Sequence, residues 1–336
     1  MCIQHYFFYQ NLATRKIICI FAPIFKVNKM INRLLIRIKT VQLVYACLQS
    51  EEPRIFADGM LRESLEATQK LYNYLLALIV KVTDYRRQQI LAAKGKFLPT
   101  REELNPNTRF VDNKLAQMIA EKSEAVDYCE REGLTSDFDT ELYRTILEAI
   151  EQSESFGQYM SQREAPTFEQ DKELWLEILT TIFPQCEKLD EVLEERDIYW
   201  NDDLTTVLKA LTRMIQRLKP EREMVPAGKL FLKEEDERFA LDLFHYALDE
   251  YYDNVKLIDA ITPNWEAERI AMMDKVIISC ALSEIRHFPD IAIAISMNEY
   301  IELAKHYSSA KSASFANGVI DKITTTWRAD HVIFKK

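Results

Sequence analysis

Arg15, Lys16, Lys26, Lys29, Arg33, Arg37 and Lys39 place seven cations within residues 1–50, where no Asp or Glu occurs. Near the other end, Lys311, Ser312, Phe315 and Asn317 fall within a single stretch of two helical turns. These residue types suit one chemistry. Lys and Arg neutralise phosphates, hydroxyls and amides hydrogen-bond phosphate oxygens, and an aromatic ring at a surface rim stacks on an unpaired base. The whole chain carries −10, so everything outside the first fifty residues carries −17. An acidic body repels nucleic acid, and any RNA contact must use a local basic patch.

Other chemistries lack their residues. His5, His245, His287, His306 and His331 form no HExxH and no paired spacing. The cysteines, Cys2, Cys19, Cys47, Cys129, Cys186 and Cys280, form no CxxC and have no accompanying histidines. They read as reduced, mostly buried thiols of a cytoplasmic protein, with no metal and no cofactor expected. A hydrolase or metalloenzyme has no support.

Elements that position these groups follow from composition. Six glycines and ten prolines in 336 residues are few. Sheets need turn residues at short intervals, whereas long helices do not, so the expected class is all-α. Length alone suggests about two domains. No apolar run approaches the roughly 18 residues that span a bilayer, so no membrane segment is expected. Residues 1–29 are aromatic-rich and basic but lack a signal-peptide layout. They read as an upstream extension of a start at Met30, or as a poorly ordered tail.

Residues 31–49 predict the first helix, with Leu34, Ile38, Val41, Tyr45 and Leu48 as its buried face. Arg33 and Arg37 lie one turn apart on a neighbouring face that is expected to be exposed, and Lys39 adds charge nearby in sequence. Helical patterns continue at about 58–92, 109–131, 137–156, 168–182 and 201–218, separated by Gly and Pro breakers. PEREMVPAG at 220–228 is the best boundary in the chain. Beyond it, 233–262 reads as one long helix. A second helix opens at Asn264 as N-cap and stops at Pro289. Ser296 and Glu299 have capping-box spacing, and a last helix starts near Ser309 or Ser312.

On the wheel of that last helix, Ala316, Val319, Ile320, Ile323 and Trp327 share the core side. Lys311, Ser314, Asn317, Gly318, Asp321 and Lys322 share the other. Glycine inside a helix costs about 1 kcal/mol relative to alanine. Gly318 therefore calls for a reason: a neighbouring helix crossing closely, or an approaching partner or RNA. Phe315 sits at the rim, as core or as a stacking ring. The free N–H groups at this helix start, beside Lys311, Ser312 and Ser314, suit phosphate.

MNEYIELAKHYSSAKSASFANGVIDKI resembles the closing signature of the NusB transcription antitermination family. The residues that carry it are Asn298, Glu299, Ile301, Glu302, Leu303, Ala304 and Lys305, then Phe315, Asn317, Gly318, Val319, Asp321 and Lys322. ERIAMMDKVIISCALSEI resembles the family's penultimate segment, and RLLIRIKTVQLVYACLQS its basic first helix. The resemblance covers about 30–50 and 234–330 and makes 51–233 a helical insertion of unknown role.

It implies two small helical bundles, no catalysis and no cofactor. The implied partners are single-stranded boxA-type RNA and NusE, a small-subunit ribosomal protein, with RNA polymerase and other Nus factors beyond them. The implied activity is read-through of terminators in ribosomal RNA operons. The implied RNA surface is Arg33, Arg37, Lys39, Lys311, Ser312, Phe315 and Asn317. The implied NusE contacts are Tyr45 and Asp274, with Tyr45 equally readable as core. Asn298, Glu299, Glu302, Gly318, Asp321 and Lys322 remain structural or interface positions. One rival is the NusB-like domain fused to ribosomal RNA cytosine methyltransferases, but the glycine-rich loop and strand-rich domain of that enzyme are missing. A helical scaffold, or an RNA-binding protein of ribosomal RNA maturation without antitermination activity, is the other.

Overall fold

A computed structural model describes residues 33–50, 57–135, 139–222, 224–225, 234–262 and 270–334. The leader at 1–29 and the proposed cap at Asn264 lie outside them. Among the described residues there is no strand. The helices are α1 (Arg33–Gln49), α2 (Ala57–Lys94), α3 (Arg101–Leu104), α4 (Lys114–Lys122), α5 (Ala125–Arg131), α6 (Thr140–Glu151), α7 (Glu154–Ser161), α8 (Phe168–Glu177), α9 (Glu187–Arg196), α10 (Trp200–Gln216), α11 (Glu234–Asp249), α12 (Tyr251–Ile261), α13 (Met272–His287), α14 (Ile293–Tyr307) and α15 (Ala310–Ala329). The chain divides into two compact units. One holds 33–61 and 233–336, the other 62–232.

In the first unit, α13 is the axle. Nearly every residue from Val276 to Ile285 is fully buried, because α1, α11, α12, α14 and α15 all pack on it. A stretch whose one charged residue is Glu284, with small Ser279, Ala281 and Ser283 among apolar side chains, suits a helix surrounded on all sides. The stretch expected as one long helix over 233–262 bends at Glu250, between α11 and α12. Asn254 explains what holds the second half in place. Its amide donates to Ser279 Oγ and Ser283 Oγ, each at 3.1 Å.

The second unit is built around α2, whose residues from Leu71 to Val80 are buried all round. Trp200 fills space beside Tyr74, rings 5.4 Å apart, and donates Nε1–H to the Ala67 carbonyl at 2.9 Å. The predicted helix over 109–131 starts later, where Asn113 caps α4 with its side chain, and it breaks into α4 and α5 at Ser123, whose hydroxyl accepts from the Ala125 amide at 3.2 Å. Gly133, at φ 67°, ends α5 in the left-handed conformation that glycine adopts without strain. The helix predicted over 137–156 is likewise split into α6 and α7 by Ser153, whose hydroxyl caps α7.

Candidate nucleic-acid interface

α15 begins as its sequence requires. Ser309 accepts from the Ser312 amide at 3.1 Å, which satisfies one of the free N–H groups of the helix start. The core side holds as read from the wheel: Ala316, Val319, Ile320, Ile323 and Trp327 are buried. Lys311, Ser314, Asn317, Gly318, Asp321 and Lys322 are exposed, and Phe315 is half-buried. A Cβ added at Gly318 would meet nothing within 4 Å among the described residues. The close helix crossing is therefore excluded as the reason for this glycine. Ser312 departs from expectation: it is buried, and its hydroxyl is engaged by Ser308 and Ser309, each at 2.9 Å.

α1 corrects the sequence reading more sharply. It is not amphipathic in place: every residue from Leu35 to Val44 is buried. Arg37 is 3% exposed and Lys39 0%, so neither offers its charge to a phosphate at the surface. Only Arg33 keeps part of its side chain in water, lying over the Phe239 ring at 4.8 Å with Asp236 at 4.0 Å.

Arg37 instead belongs to a buried cluster. Its Nε donates to Glu284 Oε2 at 2.7 Å and its Nη2 to Oε1 at 2.8 Å, a two-pronged pair. Ser296 donates to Oε1 at 2.6 Å and Tyr300 to Oε2 at 3.2 Å. Four donors thus satisfy one buried carboxylate, as a buried charge requires. Burial works against the Arg37 charge, but the Glu284 hydrogen bond and the neighbouring negative charge hold its pKa above the usual value. The cluster ties α1, α13 and α14 together. It also explains why Ser296 caps nothing: α14 starts three residues earlier, at Ile293, and the Ser296 hydroxyl is spent on Glu284. Glu299, 3.9 Å from Arg37 Nη1, flanks the same cluster, and burial raises its pKa.

Tyr45 and Asp274 come to the same end of the α1–α13 pair, where Gln49 Nε2 reaches Met272 Sδ at 2.9 Å. Tyr45 is half-buried. Asp274 is buried, and among the described residues its Oδ1 has no hydrogen-bond partner. Of the remaining signature residues, Asn298 is exposed, and Glu302 pairs with Lys305 at 2.5 Å in water. Glu284 was missed by the sequence reading. Its signal was there, as the lone acid in KVIISCALSEI.

Among the described residues no His, Cys, Asp and Glu group could hold a metal ion, and no helix is long and apolar enough to cross a membrane. No solved structure matches the chain. A family model described as NusB family matches residues 205–325. Proteins called transcription antitermination protein NusB are similar to it. That of Koribacter versatilis is 38% identical over 92 residues, 27% of this chain and 63% of the relative. That of Salinibacter ruber is 38% identical over 85 residues, 25% of this chain and 53% of the relative. That of Symbiobacterium thermophilum is 32% identical over 133 residues, 40% of this chain and 82% of the relative. The chain belongs to the NusB family.

The NusB match begins inside α10, earlier than residue 234, where the sequence reading begins its second segment, and it leaves α1 out. α1 is joined to the NusB segment by contact: it packs on α11, α13 and α14, and its Arg37 meets a carboxylate 247 residues away. Helices α3 to α9 lie outside the match.

Proposed function

We propose that this NusB-family chain is a cytoplasmic, non-enzymatic transcription antitermination factor. It binds boxA-type single-stranded RNA together with NusE and promotes read-through by RNA polymerase in ribosomal RNA operons. The observation that carries the reading is the open side of α15. There a lysine, a half-buried aromatic and an asparagine flank a stretch of backbone that Gly318 leaves uncovered. The relatives' shared name supports the activity.

The RNA set narrows to Arg33, Lys311, Phe315 and Asn317. Arg37 and Lys39 act from inside, as groups that place α1. At the proposed NusE contact, Asp274 Oδ1, which has no hydrogen-bond partner among the described residues, suits a donor brought by a partner.

The test is boxA RNA binding by fluorescence anisotropy over a salt series, with and without NusE, followed by a read-through assay. Arg33→Ala with Lys311→Ala should weaken binding and reduce the log–log salt slope by about 1.4, roughly 0.7 for each lost phosphate contact. An unchanged slope removes both residues from the RNA surface. Tight RNA binding without read-through favours the role in ribosomal RNA maturation instead.

A further inference from the structure

The segment that joins α2 to α3 is built to stand out. Phe97 is 97% exposed and Leu98 82%, and the flanking Leu91 is 61% exposed. The loop is nonetheless pinned. Gly95 N–H bonds the Leu91 carbonyl at 3.1 Å, and Lys96 Nζ reaches Glu103 at 2.5 Å. Thr100 and Glu103 close a capping box on α3, a helix that buries none of its residues. Local hydrogen bonds thus hold in place a knob that contributes nothing to its own core. Large apolar side chains side by side in water mark an interaction site. The rim is basic at Lys94 and Arg101, which have no ion-pair partner among the described residues.

The same unit holds a complement. Between α2 and α4 lies an open cavity of about 190 Å³. Val80, Ala116 and Ala120 give it an apolar floor, Thr83 and Gln117 line it too, Arg87 and Asp84 pair with each other at its rim, and Glu121 adds a carboxylate there. A cavity of about 150 Å³ holds a benzene ring, so this one has room for the ring of Phe97. Val80, Thr83, Asp84, Arg87, Leu91 and Lys94 recur at steps of three and four, so cavity and knob base share one face of α2. Leu91 lies about 11 Å along the axis from the middle of the cavity.

We propose that the chain pairs with a second copy of itself through this face. The α2 helices run antiparallel with Leu91 near the two-fold axis, and each Phe97–Leu98 knob fills the other copy's α2–α4 cavity. Lys94 and Arg101 then meet Glu121 across the contact, Asp84 being held by Arg87 of its own chain. Because knob and cavity lie on one face, the pairing closes as a dimer and does not propagate.

Sedimentation velocity of the full chain tests this. The wild type should dimerise, and Phe97→Asp, a change at an exposed position, should weaken the dimer about 100-fold. Ala120→Trp and, separately, Glu121→Lys should weaken it from the cavity side. Mixing Phe97→Asp with Ala120→Trp should restore association, since one carries an intact cavity and the other an intact knob. A monomeric wild type, a Phe97→Asp dimer of unchanged strength, or a mixture no tighter than its parts each overturns the proposal.

Discussion

Arg37 in α1 lies in the interior, held by a carboxylate from α13 and with no water to share it; Lys311 in α15 lies in water. Both helices pack on α13, and both offered cations at their surface by sequence. What separates them is how much of each helix is covered. α15 has one face on the core, so its polar side stays free to meet a ligand. α1 is covered by α11, α13 and α14, so its charges have to be answered from within the unit. A cation on a surrounded helix fixes that helix's position and rotation. One on a half-covered helix is available for recognition.

The largest expected effect tests the buried half of that contrast. Glu284→Ala strands the Arg37 guanidinium without its main partner and should cost about 3–5 kcal/mol in a urea unfolding titration. Arg37→Ala should cost a similar amount by stranding the carboxylate. Replacing both with apolar residues of similar size should recover much of the loss, because buried pairs add little net stability over good packing. The contrast breaks if Arg37→Ala leaves the urea midpoint in place and lowers boxA affinity instead.

A smaller effect probes the edge of the same cluster by pH. Burial raises the Glu299 pKa, the Arg37 charge pulls it back down, and Glu284 and Glu302 push it up further. The folded chain therefore holds a proton more readily than the unfolded one. The stability this contributes is fully present below the unfolded carboxylate value and is lost as pH rises through the folded value. Unfolding midpoints across that window should fall with rising pH in the wild type, and Glu299→Gln should flatten the trend. A trend that survives the substitution assigns it to another group.

Legibility in the sequence follows the same division. α15 was readable almost residue by residue, since its cap is local and its apolar stripe has the period of a half-covered helix. α2 and α10 were readable for their length and their breakers. α1 was readable as a helix but not for its exposure. A periodic stripe says which side is most apolar, not whether the other sides are covered as well. The partner of Arg37 sits 247 residues away, beyond any local pattern. Ser296 shows the same limit from the other side. Its spacing to Glu299 imitates a capping box, and only the fold shows Glu284 claiming the hydroxyl. The Phe97–Leu98 knob was legible as a loop and not as a surface, because exposure of apolar residues runs against the pattern from which cores are inferred.

The smallest expected effect belongs to Gly318, on the exposed half of the contrast. Its added Cβ meets nothing, and its backbone is already helical, so Gly318→Ala should stabilise the chain by roughly 0.5–1 kcal/mol. If recognition uses the uncovered backbone, the same substitution should lower boxA or partner affinity while raising the melting temperature, and Gly318→Leu should lower affinity further. The two readouts then move in opposite directions, which a purely structural glycine does not produce. A gain in stability with unchanged binding would mean that the open strip beside Gly318 is not where the ligand comes closest. The recognition surface would then centre on the start of α15, at Lys311 and Phe315.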